Sequence, residues 1–157
     1  MQEGLEADDL LAIEQSSRDD TIICTRDKDL RMVEGMHFGW ECGKQPQFGP
    51  RYVSNTGTLE LINGKKIVGE GLSFFYSQLV TGDSVDTIPG LPAGGPVLAY
   101  KSLHGATTEQ EMFTAISNLY RQKFPETWEE ELLEQARLLW MVRELKDGKP
   151  IMWEFPN

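Results

Sequence analysis

The sequence predicts an α/β fold over residues 1–87 followed by a mostly helical region over residues 88–157. Three observations predict it. A helical pattern leads into a short β-branched run and then an acidic turn. A stretch rich in Gly, aromatic and β-forming residues follows. Past a Pro/Gly loop, the apolar residues recur at helical spacing.

Leu5, Leu10, Leu11, Ala12 and Ile13 form an apolar stripe over residues 5–17, and the early acids suit the positive end of a helix dipole. Thr21-Ile-Ile-Cys-Thr25 reads as a buried strand, with Cys24 inside it as a small hydrophobe. Helix, strand and acidic turn together suggest one unit of a parallel sheet. Residues 35–64 carry turn signals at Gly49-Pro50, Asn55-Thr56-Gly57 and Asn63-Gly64, and read as two to four strands in antiparallel hairpins at the sheet edge. Residues 69–81 read as a helix with Leu72, Phe75, Tyr76 and Leu79 on one face. Three prolines and three glycines between Thr87 and Pro96 specify a tight loop. Helices are expected over residues 96–103, 108–122 and 127–146, the last opened by a capping box from Thr127 to Glu130. A short aromatic tail, residues 151–155, closes the chain. Trp128, Trp140 and Trp153 fall at core positions.

At 157 residues, with 39% hydrophobic and 10% aromatic residues, the chain can build a core, and disordered, collagen-like and disulfide-scaffold classes are excluded. No apolar run approaches a bilayer span, and the acidic N-terminus is unlike a secretory signal, so a soluble, cytoplasmic protein without a membrane partner is expected. Cys24 and Cys42 suggest neither a staple nor a zinc site. His37 and His104 lack a partner pattern and read as structural or surface residues.

The formal net charge is −10, which disfavours a nonspecific nucleic-acid binder. The acidity is local, however. Residues 1–87 carry 8 basic and 15 acidic residues. Seven of the acids lie in three clusters: Glu6, Asp8 and Asp9; Asp27 and Asp29; Asp83 and Asp86. Without those seven the segment is neutral. Asp19-Asp20 and Glu129-Glu130-Glu131 read as solvated surface acids. The three clusters sit at element ends, and Asp27 and Asp29 directly follow a strand, where open sheets bind ligands. Carboxylates without His or Cys are hard oxygen donors suited to Mg²⁺ or Mn²⁺, and so many imply two ions in a phosphodiester-cleaving arrangement. The Pro/Gly loop entering a helix would present backbone amides to a phosphate, through Gly90, Gly94 and Gly95 with Lys101 nearby.

Glu6-Ala-Asp-Asp9, Thr25-Arg-Asp-Lys-Asp29 and Thr81-Gly-Asp-Ser-Val-Asp86, followed by Ile88-Pro-Gly-Leu-Pro-Ala-Gly-Gly-Pro96, resemble the 5′-nuclease family of flap endonucleases and bacteriophage 5′→3′ exonucleases. The resemblance is to the C-terminal half of that family and covers at least residues 4–101. It implies a PIN-like metal-binding nuclease core ending near residue 87 and a helix-hairpin-helix-like DNA-binding region over residues 88–157. It implies that Glu6, Asp8, Asp9, Asp27 and Asp29 supply a first metal position, with Asp27 and Asp29 catalytic, and that Asp83 and Asp86 belong to a second. The 88–96 loop would hold the backbone of duplex DNA, with a potassium ion on its carbonyls. The substrate would be DNA with a 5′ end, as duplex or flap, in the cytoplasm of a bacterial host for a phage-encoded chain.

Departures accompany the match. Family members carry, before the Glu6 motif, a first central strand with an essential aspartate, a second aspartate and a basic helical arch. Ala93 and Gly94 replace the usual glycine and apolar residue of the loop, and Val97 stands where a basic residue is usual. The expectation is therefore a nuclease polypeptide completed by a separate N-terminal polypeptide, or a truncated reading of a full nuclease. The alternative is a noncatalytic DNA-binding or regulatory module acting through the loop.

Overall fold

The computed structural model describes residues 5–157, and they form a mixed α/β fold built around one buried helix. Helix α1 (Ala7–Ser17) starts where the Asp9 carboxylate accepts the Glu6 backbone N–H at 3.1 Å, which satisfies a donor that the helix itself leaves free. Its inner face is narrower than the apolar stripe suggests: Leu5 and Ala12 are buried, whereas Leu10 and Leu11 are exposed. Gln15 ties the helix to the sheet. Its amide donates to the Met36 carbonyl at 2.7 Å, and its oxygen accepts the Thr21 hydroxyl at 2.6 Å.

Strand β1 (Ile22–Cys24) pairs in parallel with β2 (Gly35–Gly39), and β3 (Phe48–Val53) pairs antiparallel on the far side of β2. A 3₁₀ turn, Lys28–Met32, connects β1 to β2. The parallel unit expected after α1 is therefore present, within a sheet ordered β1-β2-β3. It leaves β1 at the edge, and this corrects the expectation of a buried strand. Ile23 is buried, but Ile22 and Cys24 on the other face are exposed.

Strands β4 (Thr58–Ile62) and β5 (Lys66–Glu70) form a separate hairpin. Ile62 pairs with Lys66 across a three-residue loop in which Asn63 and Gly64 both take positive φ (52° and 67°) and the Lys65 N–H donates to the Ile62 carbonyl at 3.0 Å. The pairing runs to Glu70, so the following helix, α2 (Gly71–Thr81), begins two residues later than its apolar spacing predicts. Every residue from Gly71 to Val80 is buried. A helix buried on all sides belongs at the centre of a core. It packs against the two strands of this hairpin and against α3 (Pro96–Leu103), α4 (Glu109–Lys123) and α5 (Trp128–Leu139).

Helix α5 corrects the expected 127–146 span. It ends at Leu139, and the Thr127 side chain accepts no capping bond. Tertiary bonds claim the residues beyond. Asp9 Oδ1 accepts the Val142 N–H at 2.9 Å, and Arg143 donates to the Met32 carbonyl at 3.1 Å. The Trp140 ring stands edge-on to Phe75 at 5.1 Å. A small hairpin, β6 (Leu145–Lys146) and β7 (Lys149–Pro150), then returns the chain. The aromatic tail closes the core, with Trp153 buried against Phe75 and Phe155 stacked on Trp128. His37 is buried, its Nε2 2.7 Å from the Val33 carbonyl, and burial lowers its pKa. No helix among the described residues is long and apolar enough to cross a membrane.

Candidate metal centre

All seven acids singled out from the sequence line one cavity of about 520 Å³. Four parts of the chain build it. Glu6, Asp8 and Asp9 stand at the start of α1, and Asp27 and Asp29 enter the 3₁₀ turn after β1. Asp83 and Asp86 follow α2, while the segment after α5, including Trp140 and Val142, forms the opposite wall.

Local bonds set the carboxylates. Asp27 caps the 3₁₀ turn by accepting the Asp29 N–H at 2.9 Å, and Thr25 Oγ1 accepts the Asp27 N–H at 3.0 Å. The backbones of Asp83 and Ile88 exchange both hydrogen bonds at 2.8 Å. This closes a six-residue loop and brings Asp83 and Asp86 to the same side. Asp29, Asp83 and Asp86 each place a carboxylate oxygen within 4.8 Å of the others.

Such crowding has an electrostatic consequence. Burial, followed by the charges of Asp27 and Asp83, pushes the Asp29 pKa from 3.8 up to about 6, although Lys28 and Gln78 oppose the shift. Burial and then the neighbouring Asp27 likewise raise Asp8. Burial disfavours the charged form of both groups first, and the like charges beside them add to it. The donor set is entirely carboxylate, and Mg²⁺ and Mn²⁺ favour such hard oxygen ligands. The residues therefore fit a divalent ion.

The seven acids are not equivalent. Both oxygens of Asp9 are taken by backbone amides, those of Glu6 and Val142, and the residue is buried. Asp9 thus fastens the α1 N-terminus to the chain after α5. The other six line the cavity without both oxygens being taken by backbone amides.

Sequence reasoning passed over Gln78. It is 5% exposed and donates from Nε2 to Asp29 Oδ1 at 3.2 Å. Its buried Oε1 has no partner among the described residues. The available signal was the one amide side chain in α2, one turn before Gly82-Asp83.

The Pro/Gly loop differs from its expectation. Gly90 is buried, and its N–H donates to Gln135 Oε1 at 3.0 Å. The N–H of Leu91 goes to the Val80 carbonyl at 3.1 Å, and that of Gly94 to the Leu91 carbonyl at 2.8 Å. A Cβ on Gly90 would meet the Gly82 nitrogen at 2.4 Å, and one on Gly94 the Val80 oxygen at 2.4 Å. These glycines let the loop press against the end of α2, and their amides are spent there rather than turned toward a phosphate. Gly95, which opens α3, has open space around it, and Lys101 is exposed in the last turn of α3.

Comparison with known proteins adds no relative: no family model, curated protein or solved structure matches the chain.

Proposed function

We propose that the chain is a metal-dependent nuclease polypeptide that hydrolyses DNA phosphodiester bonds from a 5′ end, as a 5′→3′ exonuclease or flap endonuclease. The observation that carries this reading is the convergence of seven carboxylates, from segments up to 80 residues apart in sequence, on one cavity with uncompensated negative charge. A decorative surface cluster would not need α1, β1 and the loop after α2 to meet. The PIN-like core and the helix-hairpin-helix-like assignment of residues 88–157 belong to the same proposal.

In this reading Glu6, Asp8, Asp27 and Asp29 hold one Mg²⁺ or Mn²⁺, and Asp83 and Asp86 hold a second, with Asp29 next to both groups. Bound ions would supply charge neutralisation at the phosphate and a more acidic attacking water. The protein's own groups do the rest. Gln78 steadies Asp29 through its amide, Asp9 fixes the cavity wall, and Lys28 sets an ammonium on the rim. A potassium ion on the 88–96 carbonyls is part of the proposal.

Edge strand β1 supports a further component. Its outer edge pairs with no strand among the described residues, and Ile22, Leu10 and Leu11 nearby are each over 40% exposed. An unpaired, apolar strand edge invites another strand. We propose that an N-terminal nuclease segment, on the same or a separate polypeptide, docks there and adds acids to the site. The alternative is a noncatalytic module acting through the loop, and it would have to use amides other than those of Gly90, Leu91 and Gly94, which are bonded internally.

The test is nucleotide release from 5′-labelled duplex and flapped DNA, with Mg²⁺ or EDTA, by the chain alone and with an added N-terminal nuclease fragment. Cleavage that needs Mg²⁺ and disappears in Asp27→Asn is the expected result. Folded protein without cleavage under both conditions would contradict the proposal.

A further inference from the structure

A second cleft adjoins the carboxylate cavity and has the opposite charge. It encloses about 720 Å³ between the end of β1, the 44–48 segment and β5. Arg26, Lys28, Arg31, Lys44 and Lys66 line it, and Asp27 is its one acid. These are five of the eight cations in residues 1–87, gathered on a chain whose net charge is −10. Among the described residues none of the five has a carboxylate within ion-pair distance, the ion pairs present being those of Arg18 and Arg51. Four of them are exposed. Arg31 is half-buried, its guanidinium 4.0 Å above the Phe48 ring.

Position gives the cleft its meaning. Asp27 and Lys28 line both spaces, so the basic cleft begins where the carboxylate cavity ends. Phe48, Ile67, Val68 and Phe74 give it an apolar wall, beside the amides of Gln45 and Gln47. Unpaired cations beside aromatic and aliphatic surface match a single nucleic-acid strand, whose phosphates seek the charge while its unstacked bases cover the apolar wall.

We infer that this cleft binds the phosphodiester backbone of single-stranded DNA and leads that strand to the carboxylates. The choice of ligand rests on the nuclease reading, whereas the site stands on its own residues.

The test is equilibrium binding of fluorescent oligo(dT) in EDTA, where cleavage is absent, measured across a salt series. Each phosphate contact contributes about 0.7 to the slope of log K against log salt for a single strand. The combined variant Arg26→Ala, Lys44→Ala, Lys66→Ala should lower that slope by about 2 and weaken binding tenfold or more at moderate salt. A control with the same charge change, Lys123→Ala, Lys146→Ala, Lys149→Ala, should keep the wild-type slope. Equal slopes in the two variants, no binding by the wild type, or tighter binding of duplex than of oligo(dT) would each overturn the inference. Mn²⁺ titration of the cleft variant separates this from the nuclease reading. Metal binding with an unchanged DNA slope removes the cleft alone, and a lowered slope without metal binding by the wild type removes the metal site alone.

Discussion

The acidic cavity and the Pro/Gly loop both stand out in the sequence, yet the fold uses them in opposite ways. Six of the seven acids line the cavity without both oxygens being taken by backbone amides, and burial, then the charges of Asp27 and Asp83, raises the pKa of Asp29. The loop does the reverse. Its amides at Gly90, Leu91 and Gly94 are bonded internally, and its glycines serve close backbone contact. Carboxylates crowded in one cavity keep the capacity to bind a ligand. Polar groups satisfied by neighbours are already explained by folding.

Adding a side chain at a loop glycine and removing a cavity charge should act with opposite sign. The largest effect is expected at the loop. Gly90 has φ of 70°, and a methyl group there meets backbone on two sides. Gly90→Ala should cost about 3 kcal/mol, from left-handed strain and overpacking together, read as a lower urea midpoint. A cost below about 1 kcal/mol would mean that the loop is not locked against α2.

The cavity should respond in the other direction. A carboxyl whose folded pKa is raised holds its proton more tightly when folded, so its stabilising contribution is complete below pH 3.8 and lost as pH rises through about 6. Asp29→Asn in EDTA should therefore stabilise the protein above pH 6 by about 1–2 kcal/mol, a value reduced for solvent screening. The gain should vanish below about pH 4. Urea unfolding across pH checks it, and a destabilised variant at pH 7 would refute the raised pKa of Asp29.

The smallest effect concerns Ala93, which holds φ at 59° where glycine is unstrained. Ala93→Gly should be neutral to stabilising, by up to about 1 kcal/mol. Thermal melting would detect it, and a clear loss of stability would show that the side chain packs usefully.

Much of the fold was legible where local chemistry decides it. Asn63-Gly64 marked its hairpin because two positive φ values suit those residues. Ile22–Cys24 read as a strand from its β-branched run. Its exposure was not legible, because burial depends on which strands lie alongside, and among the described residues β1 has a strand neighbour on only one edge. The end of α5 was hidden for a similar reason. No Gly or Pro stops the pattern at Leu139, and the chain turns because Asp9, Met32 and Phe75 engage Val142, Arg143 and Trp140. The acids were legible as clusters because each cluster lies at an element end. The basic cleft was not, since Lys44 and Lys66 reach Arg26 and Arg31 only after the strands have folded.

Whether the crowded carboxylates form a divalent-cation site decides how the whole molecule is understood. Calorimetric titration of Mn²⁺ into the wild type, Asp29→Asn and Asp83→Asn proteins answers that question. The expected result is saturable binding by the wild type that weakens at least tenfold, about 1.4 kcal/mol, in each variant while folding is retained. Absence of binding to the folded wild type, or equal affinity in all three proteins, would contradict the metal site.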